Sequence, residues 1–143
     1  MAAQVVAVNI SEEKGMQKVQ VEAVELKENH GIVGDAHAGD WHRQVSLLAE
    51  ESIDKMRQLG LELDPGAFAE NITTRGVELV ALPVGTRFEL GSALLEVTQI
   101  GKECHQHCAI YHQAGDCVMP KEGIFARVLR GGDVRTGTSF KVL

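Results

Sequence analysis

Apolar residues alternate with polar ones, or gather in short β-branched runs, along much of this chain. Gln4–Ser11, Lys18–Leu26, Val77–Leu82, Arg87–Gly91 and Ala93–Ile100 each read as strands. Turn residues separate them, as at Asn29-His30-Gly31 and Pro83-Val84-Gly85. The run Phe88–Val97 reads as a hairpin closed at Gly91-Ser92. The tail from Val134 to Leu143 reads as a final strand. Two stretches switch to a helical period. In Ser46–Gly60, Leu48, Ala49, Ile53, Met56 and Leu59 share a stripe, Ser46 can cap, Glu50 and Glu51 suit the positive end, and Gly60 can stop the helix. In Lys121–Gly132, Ile124, Phe125, Val128 and Leu129 form an apolar side, Pro120 can open the turn and Gly131-Gly132 ends it. Close-set strands without regular helical crossovers predict a mainly β fold with a few helices (α+β), a barrel or sandwich.

No internal repeat or linker divides the 143 residues, so residues 1–143 are read as one domain. A chain of this length buries roughly 70% of its unfolded surface and needs no covalent staple. The formal net charge of -6 argues against a general nucleic-acid binder, which needs a basic face. It leaves room for a local basic pocket. No apolar run reaches a membrane span, and the N-terminus carries no basic stretch or cleavage site of a signal peptide. The expected location is the cytoplasm.

The segment GKECHQHCAIYHQAGDC, Gly101 to Cys117, holds all three cysteines and three of the six histidines. A disulfide is disfavoured by a reducing compartment and an odd cysteine count. Zinc takes four Cys or His ligands, but Cys104-x3-Cys108 has no matching second pair. The third reading is a thiolate whose pKa falls beside Lys102 and the histidines. Such a group acts as a nucleophile, carries a persulfide or binds a soft metal.

Two further segments exceed what a core needs in polar residues. Gly31–Leu48 surrounds Asp35, His37, Asp40, His42 and Arg43 with glycines that let backbone approach a ligand closely. Asp35 and His37 can share one face of an extended loop, or Asp35 can simply form an Asx-turn. Arg43 is either an anion clamp or a surface salt bridge. In Gly66–Gly76, Asn71 is a turn former or a contact residue, and Thr73, Thr74 and Arg75 either line an anion site or are solvated.

These segments, in this order, resemble the MOSC domain family, named for the C-terminal domain of molybdenum cofactor sulfurase. The matching pieces are GIVGDAHAG and RQVSLL, then FAENITTRGVELVALPVGTRFELGSALLEVTQIGKEC, then HCAIYHQAGDCVMPKEGIFARVLRGGDVRTG. The resemblance covers nearly the whole chain, and the short, stand-alone bacterial type is the most similar. It implies a strand-rich barrel and one key cysteine that carries sulfur or ligates molybdenum in a pterin cofactor. Cys108, followed by the apolar pair Ala109-Ile110, fits that cysteine's place, with Cys104 as competitor and His107 as proton shuttle. Asn71 resembles a cofactor-contacting asparagine, with Asp35, His37, Arg43, Thr73 and Arg75 as further cofactor-binding residues.

The chain departs from the pattern in three places. Ala69-Glu70 stands where relatives with a known cofactor carry an arginine close before the asparagine, and Gly137-Thr138 stands where Gly-Asp is usual. The separate N-terminal domain of the larger reductases and a desulfurase domain are both missing from the 143 residues. The implied partner is therefore a cofactor protein or a sulfur donor of the cysteine desulfurase type. That partner is also where pyridoxal phosphate belongs, since no Schiff-base lysine motif stands out here. The competing readings are a Cys/His metal-binding module and a non-catalytic partner of cofactor-biosynthesis proteins.

Overall fold

The computed structural model describes residues 3–13, 16–101 and 122–143. Eleven strands and one α-helix are formed among them: β1 (Gln4–Ile10), β2 (Val19–Val21), β3 (Ala23–Lys27), β4 (Gly31–Ile32), β5 (Val45–Ala49), α1 (Glu50–Arg57), β6 (Ile72–Arg75), β7 (Arg87–Leu90), β8 (Ala93–Ile100), β9 (Ile124–Arg130), β10 (Gly132–Arg135) and β11 (Phe140–Val142). The fold is mainly β with few helices. An eight-stranded sheet runs β11-β7-β8-β9-β5-β6-β1-β2, and a three-stranded sheet runs β10-β3-β4. The β5–β6 pair is parallel, whereas the other ladders among the described residues are antiparallel. The ladders do not close the larger sheet. Its β1 and β11 nevertheless approach each other through a Gln4–Ser139 bridge and backbone bonds from Val5 to Thr138 and from Phe140 to Ala3. No helix among the described residues is long and apolar enough to cross a membrane.

The alternating apolar positions meet in one large core. Val5, Leu26, Ile32, Leu47, Ile72, Phe88, Leu95 and Ile124 are all essentially inaccessible there. A second cluster joins Leu48, Ile53, Met56, Phe68 and Phe125, and it seats α1 on the outer face of the sheet.

The helix expected over Ser46–Gly60 begins four residues later, at Glu50. Val45–Ala49 is instead a fully buried strand between β9 and β6. Leu47 and Leu48 face opposite clusters, as strand geometry demands. Ser46 therefore caps nothing, and Ala49 takes the N-cap position without a side-chain bond. The second expected helix is strand β9. Its apolar positions satisfy a helical period equally well, but Ile124, Ala126 and Val128 enter the main core while Phe125 enters the other cluster. Hydrogen bonding to β5 and β8 on both sides decides the outcome.

Val77–Leu82 is not a strand either. Only Leu79 is buried, and a single 3-10 turn, Leu79–Ala81, fits between Gly76 and Pro83. The hairpin at Gly91 forms as read, with Leu90 paired to Ala93.

Gly66 shows how closely two chain segments approach. It sits at φ +91°, and an added Cβ would overlap the Lys18 carbonyl oxygen and lie 2.8 Å from the carbonyl carbon. The Lys18 amide in turn donates to the Gly66 carbonyl at 2.9 Å. Gly66→Ala is expected to destabilise by about 2 kcal/mol or more, through left-handed strain and backbone displacement. A denaturation midpoint unchanged from wild type would show that the two segments can separate freely.

Candidate functional site

The loop from β4 to β5 carries most of the polar residues singled out in the sequence. Its first fixed point is Asp35, whose carboxylate is buried. Oδ1 accepts from the Ser11 amide at 3.1 Å and from Lys18 Nζ at 2.8 Å, and Oδ2 accepts from the His37 amide at 3.0 Å. Burial pushes the Asp35 carboxyl up, but the Lys18 ammonium and the two backbone donors outweigh it and hold the carboxyl below its ordinary value. Lys18 is itself buried and also reaches Ser11 Oγ at 3.0 Å and His37 Nδ1 at 3.0 Å. Trp41 locks the loop from its other end. Its Nε1 donates to the His37 carbonyl at 2.7 Å, and its ring lies parallel to the His37 ring at a centroid distance of 6.4 Å.

A second buried polar cluster surrounds Asn71. Ser46 N and Oγ donate to Asn71 Oδ1, and Asn71 Nδ2 donates to the Asn9 carbonyl. Beside it, Glu70 accepts from the Gly66 and Phe68 amides and from Thr73 Oγ1 at 2.9, 3.2 and 2.7 Å. Glu70 is inaccessible to solvent, and that burial pushes its carboxyl up despite the three donors. Ala69 takes φ 62°, a left-handed value uncommon for a residue with a Cβ, to deliver Glu70 inward. Among the described residues, Asn9 Oδ1 and Thr74 Oγ1 are buried without a hydrogen-bond partner.

Arg43 occupies a different environment. Its guanidinium lies 5.1 Å from the centroid of the Phe125 ring, and Nε donates to Gln99 Oε1 at 3.1 Å. His42 Nε2 meets the same oxygen at 2.9 Å, and Gln99 Nε2 donates to the Gly101 carbonyl at 2.8 Å. Arg43 has no carboxylate partner among the described residues. Its position is telling, because Gly101 and Phe125 flank the two ends of the chain that carries the cysteines. The Gly101 amide donates to the Gly123 carbonyl at 2.6 Å and ties those ends together. An open cleft of about 380 Å³ adjoins this group, with Trp41, His42, Thr98 and Arg127 in its lining.

The structure thus places the sequence candidates in three settings. Asp35 and His37 share one cluster with Lys18. Asn71 and Thr73 belong to the neighbouring buried network, where the Asn71 amide is engaged by protein partners. Arg75 lies apart, against α1, where it pairs with Glu50 at 2.7 Å and Asp54 at 3.1 Å. Cys104, His107 and Cys108 lie outside the described residues. Among the described residues no three His, Cys, Asp or Glu side chains gather as a metal-ligand set.

Sequence reading passed over Lys18, Ser11, Glu70 and Gln99. Lys18 opens an alternating run and looks like any exposed strand lysine, so no local signal marks it. Glu70 is visible only as a departure from the arginine pattern. As for a pterin phosphate, Arg43 is the described group that fits it: a half-buried cation with no carboxylate partner among the described residues. The Arg75 charge is already met by Glu50 and Asp54.

Comparison with known proteins gives a consistent picture. Residues 34–141 match the model of the MOSC domain. No curated protein matches the chain. Among solved structures, the YuaD protein from Bacillus subtilis is similar with a TM-score of 0.81 at 21% identity, over 99% of this chain and 96% of that one. YiiM from Geobacillus stearothermophilus gives 0.73 at 22% identity, over 99% and 75%. YiiM from Escherichia coli gives 0.69 at 21% identity, over 100% and 70%. At these identities the structural likeness speaks for the fold alone.

Proposed function

Because the chain belongs to the MOSC domain family, whose members are linked to molybdenum cofactor biology, we propose that it serves that cofactor through a cysteine thiolate of the Gly101–Cys117 segment. Cys108 is the preferred thiol and Cys104 the alternative. The observation that carries the reading is the placement of Arg43. A cation with no acidic partner among the described residues stands at the junction where the cysteine-bearing chain leaves β8 and returns to β9. Such a cation favours a thiolate nearby and holds an anionic group of a ligand.

Two uses of the thiol follow from one chemistry. In sulfur carriage, the Cys108 thiolate attacks the terminal sulfur of a persulfide on a donor protein of the cysteine desulfurase type. A new S–S bond forms on Cys108, the donor's S–S bond breaks, and the donor leaves as a thiolate. Pyridoxal phosphate chemistry then belongs to the donor. In the other use, Cys108 is a thiolate ligand of molybdenum, Arg43 holds the pterin phosphate, and the bound cofactor supplies redox chemistry at the metal. Asp35 and His37 shape the adjoining wall, and His107 serves as proton shuttle.

The test is metal analysis with intact mass on protein expressed in a host that makes molybdenum cofactor. About one molybdenum per chain supports the ligand role, and a mass gain of one sulfur without metal supports sulfur carriage. Either signal is expected to vanish in Cys108→Ser and to drop by about tenfold or more in Arg43→Gln, the loss of one charge-assisted contact. Zinc alone, or neither signal, overturns the proposal. A signal retained in Cys108→Ser moves the role to Cys104.

A further inference from the structure

The Lys18–His37 contact fixes more than a loop position. An ammonium group has three protons to donate and no lone pair. Lys18 Nζ has three neighbours within hydrogen-bond distance: Asp35 Oδ1 at 2.8 Å, Ser11 Oγ at 3.0 Å and His37 Nδ1 at 3.0 Å. Asp35, held ionised, accepts only. Ser11 spends its own hydroxyl proton on the Glu13 carbonyl at 3.1 Å, so toward Lys18 it accepts as well. Two of the three protons are therefore assigned by chemistry, and the third points at His37 Nδ1. That nitrogen must then offer its lone pair. The competing arrangement, with a proton on Nδ1 donated to Asp35 Oδ2, would span 3.8 Å, beyond hydrogen-bond reach.

We infer that Lys18 is a positioning residue that holds His37 as the Nε2–H tautomer, making its outer nitrogen a hydrogen-bond donor and not a base. The ring has little freedom to escape this role. The His37 amide is bound by Asp35 and its carbonyl by Trp41, and the Trp41 indole lies parallel to the imidazole with an interplanar angle of 4°. The His37 side chain keeps 22% exposure, enough to meet a small molecule. A donor at that nitrogen suits an acceptor atom, an oxygen or sulfur of a neighbouring chain segment or of an anionic ligand. That last use rests on the function proposed above, whereas the tautomer rests on the described geometry alone.

The experiment is a long-range ¹H–¹⁵N correlation spectrum of the ¹⁵N-labelled full chain at neutral pH, with His37 assigned by the signals lost in His37→Gln. The expected result is the pattern of a neutral ring protonated at Nε2. A ring protonated at Nδ1 would mean that Lys18 accepts instead of donating, and an imidazolium would leave Lys18 facing a second donor. Either pattern overturns the inference. In Lys18→Met the His37 signals are expected to move toward the tautomer mixture of a free imidazole, and retention of the wild-type pattern in that variant would remove Lys18 from the role. Should that variant not fold, the wild-type spectrum decides by itself. Metal content and persulfide mass play no part in this readout, so failure of the cofactor reading and failure of the tautomer assignment are distinguishable.

Discussion

Lys18→Met is expected to cost about 3–5 kcal/mol of folding stability, because it leaves the buried Asp35 carboxylate without its counter-charge. The Lys18–Asp35 pair is inaccessible at both ends, so water cannot replace the ammonium. Two backbone amides still serve Asp35 in the variant and limit the loss. The pair also sets a pH dependence. The folded Asp35 carboxyl lies below its ordinary value, so its contribution is present above the ordinary carboxylate range and is lost as pH falls through the depressed value. Urea titrations of wild type and variant at neutral and acidic pH test both parts. A loss under about 1 kcal/mol would show that Asp35 does not depend on Lys18.

Glu70→Ala is the second large effect. It deprives the Gly66 and Phe68 amides and the Thr73 hydroxyl of their acceptor. At about 1–3 kcal/mol for each orphaned buried group, the expected loss is about 3 kcal/mol or more. Glu70→Gln separates charge from hydrogen bonding. Burial raises the folded Glu70 carboxyl above its unfolded value, so the stability tied to its protonated form is fully present below the ordinary glutamate range. It is lost as pH rises through the raised value. Stability of the wild type should therefore decline across that interval, and Glu70→Gln should flatten the decline. An identical slope in both proteins would show that Glu70 ionises as freely when folded as when unfolded. Asp35 and Glu70 thus oppose each other: falling pH undermines the first cluster and rising pH the second.

The elements that could be read along the chain are those whose partners lie close in sequence. The β7–β8 hairpin is an example, since alternation and the Gly91 turn suffice to define it. Strands β5 and β9 could not be read this way. β5 is buried on both faces throughout and β9 over Ile124–Ala126, which erases period-two alternation there, and each takes its partners from distant residues, such as Leu47 from Ile72 and Ile124. The same reasoning divides the candidate site. Asp35 and His37 stand out in a glycine-rich loop. Lys18 does not, because its role exists only after β4 carries that loop back over the chain leaving β1. Arg43 and Arg75 are alike in sequence, yet one ends beside an aromatic ring and an amide and the other beside two carboxylates. Nothing local to either arginine distinguishes them.

The hydrogen bond between Gly101 and Gly123 has a wider consequence. It closes the mouth of the cysteine-bearing insertion, and the β8–β9 ladder beneath it is complete without that insertion. Closure entropy grows only with the logarithm of loop length, at roughly 0.6 kcal/mol per doubling. The closure term for the chain between Gly101 and Gly123 therefore changes little with its length. The two strands are registered by their own ladder, so the pairing beneath that closure is fixed independently of how much chain spans it.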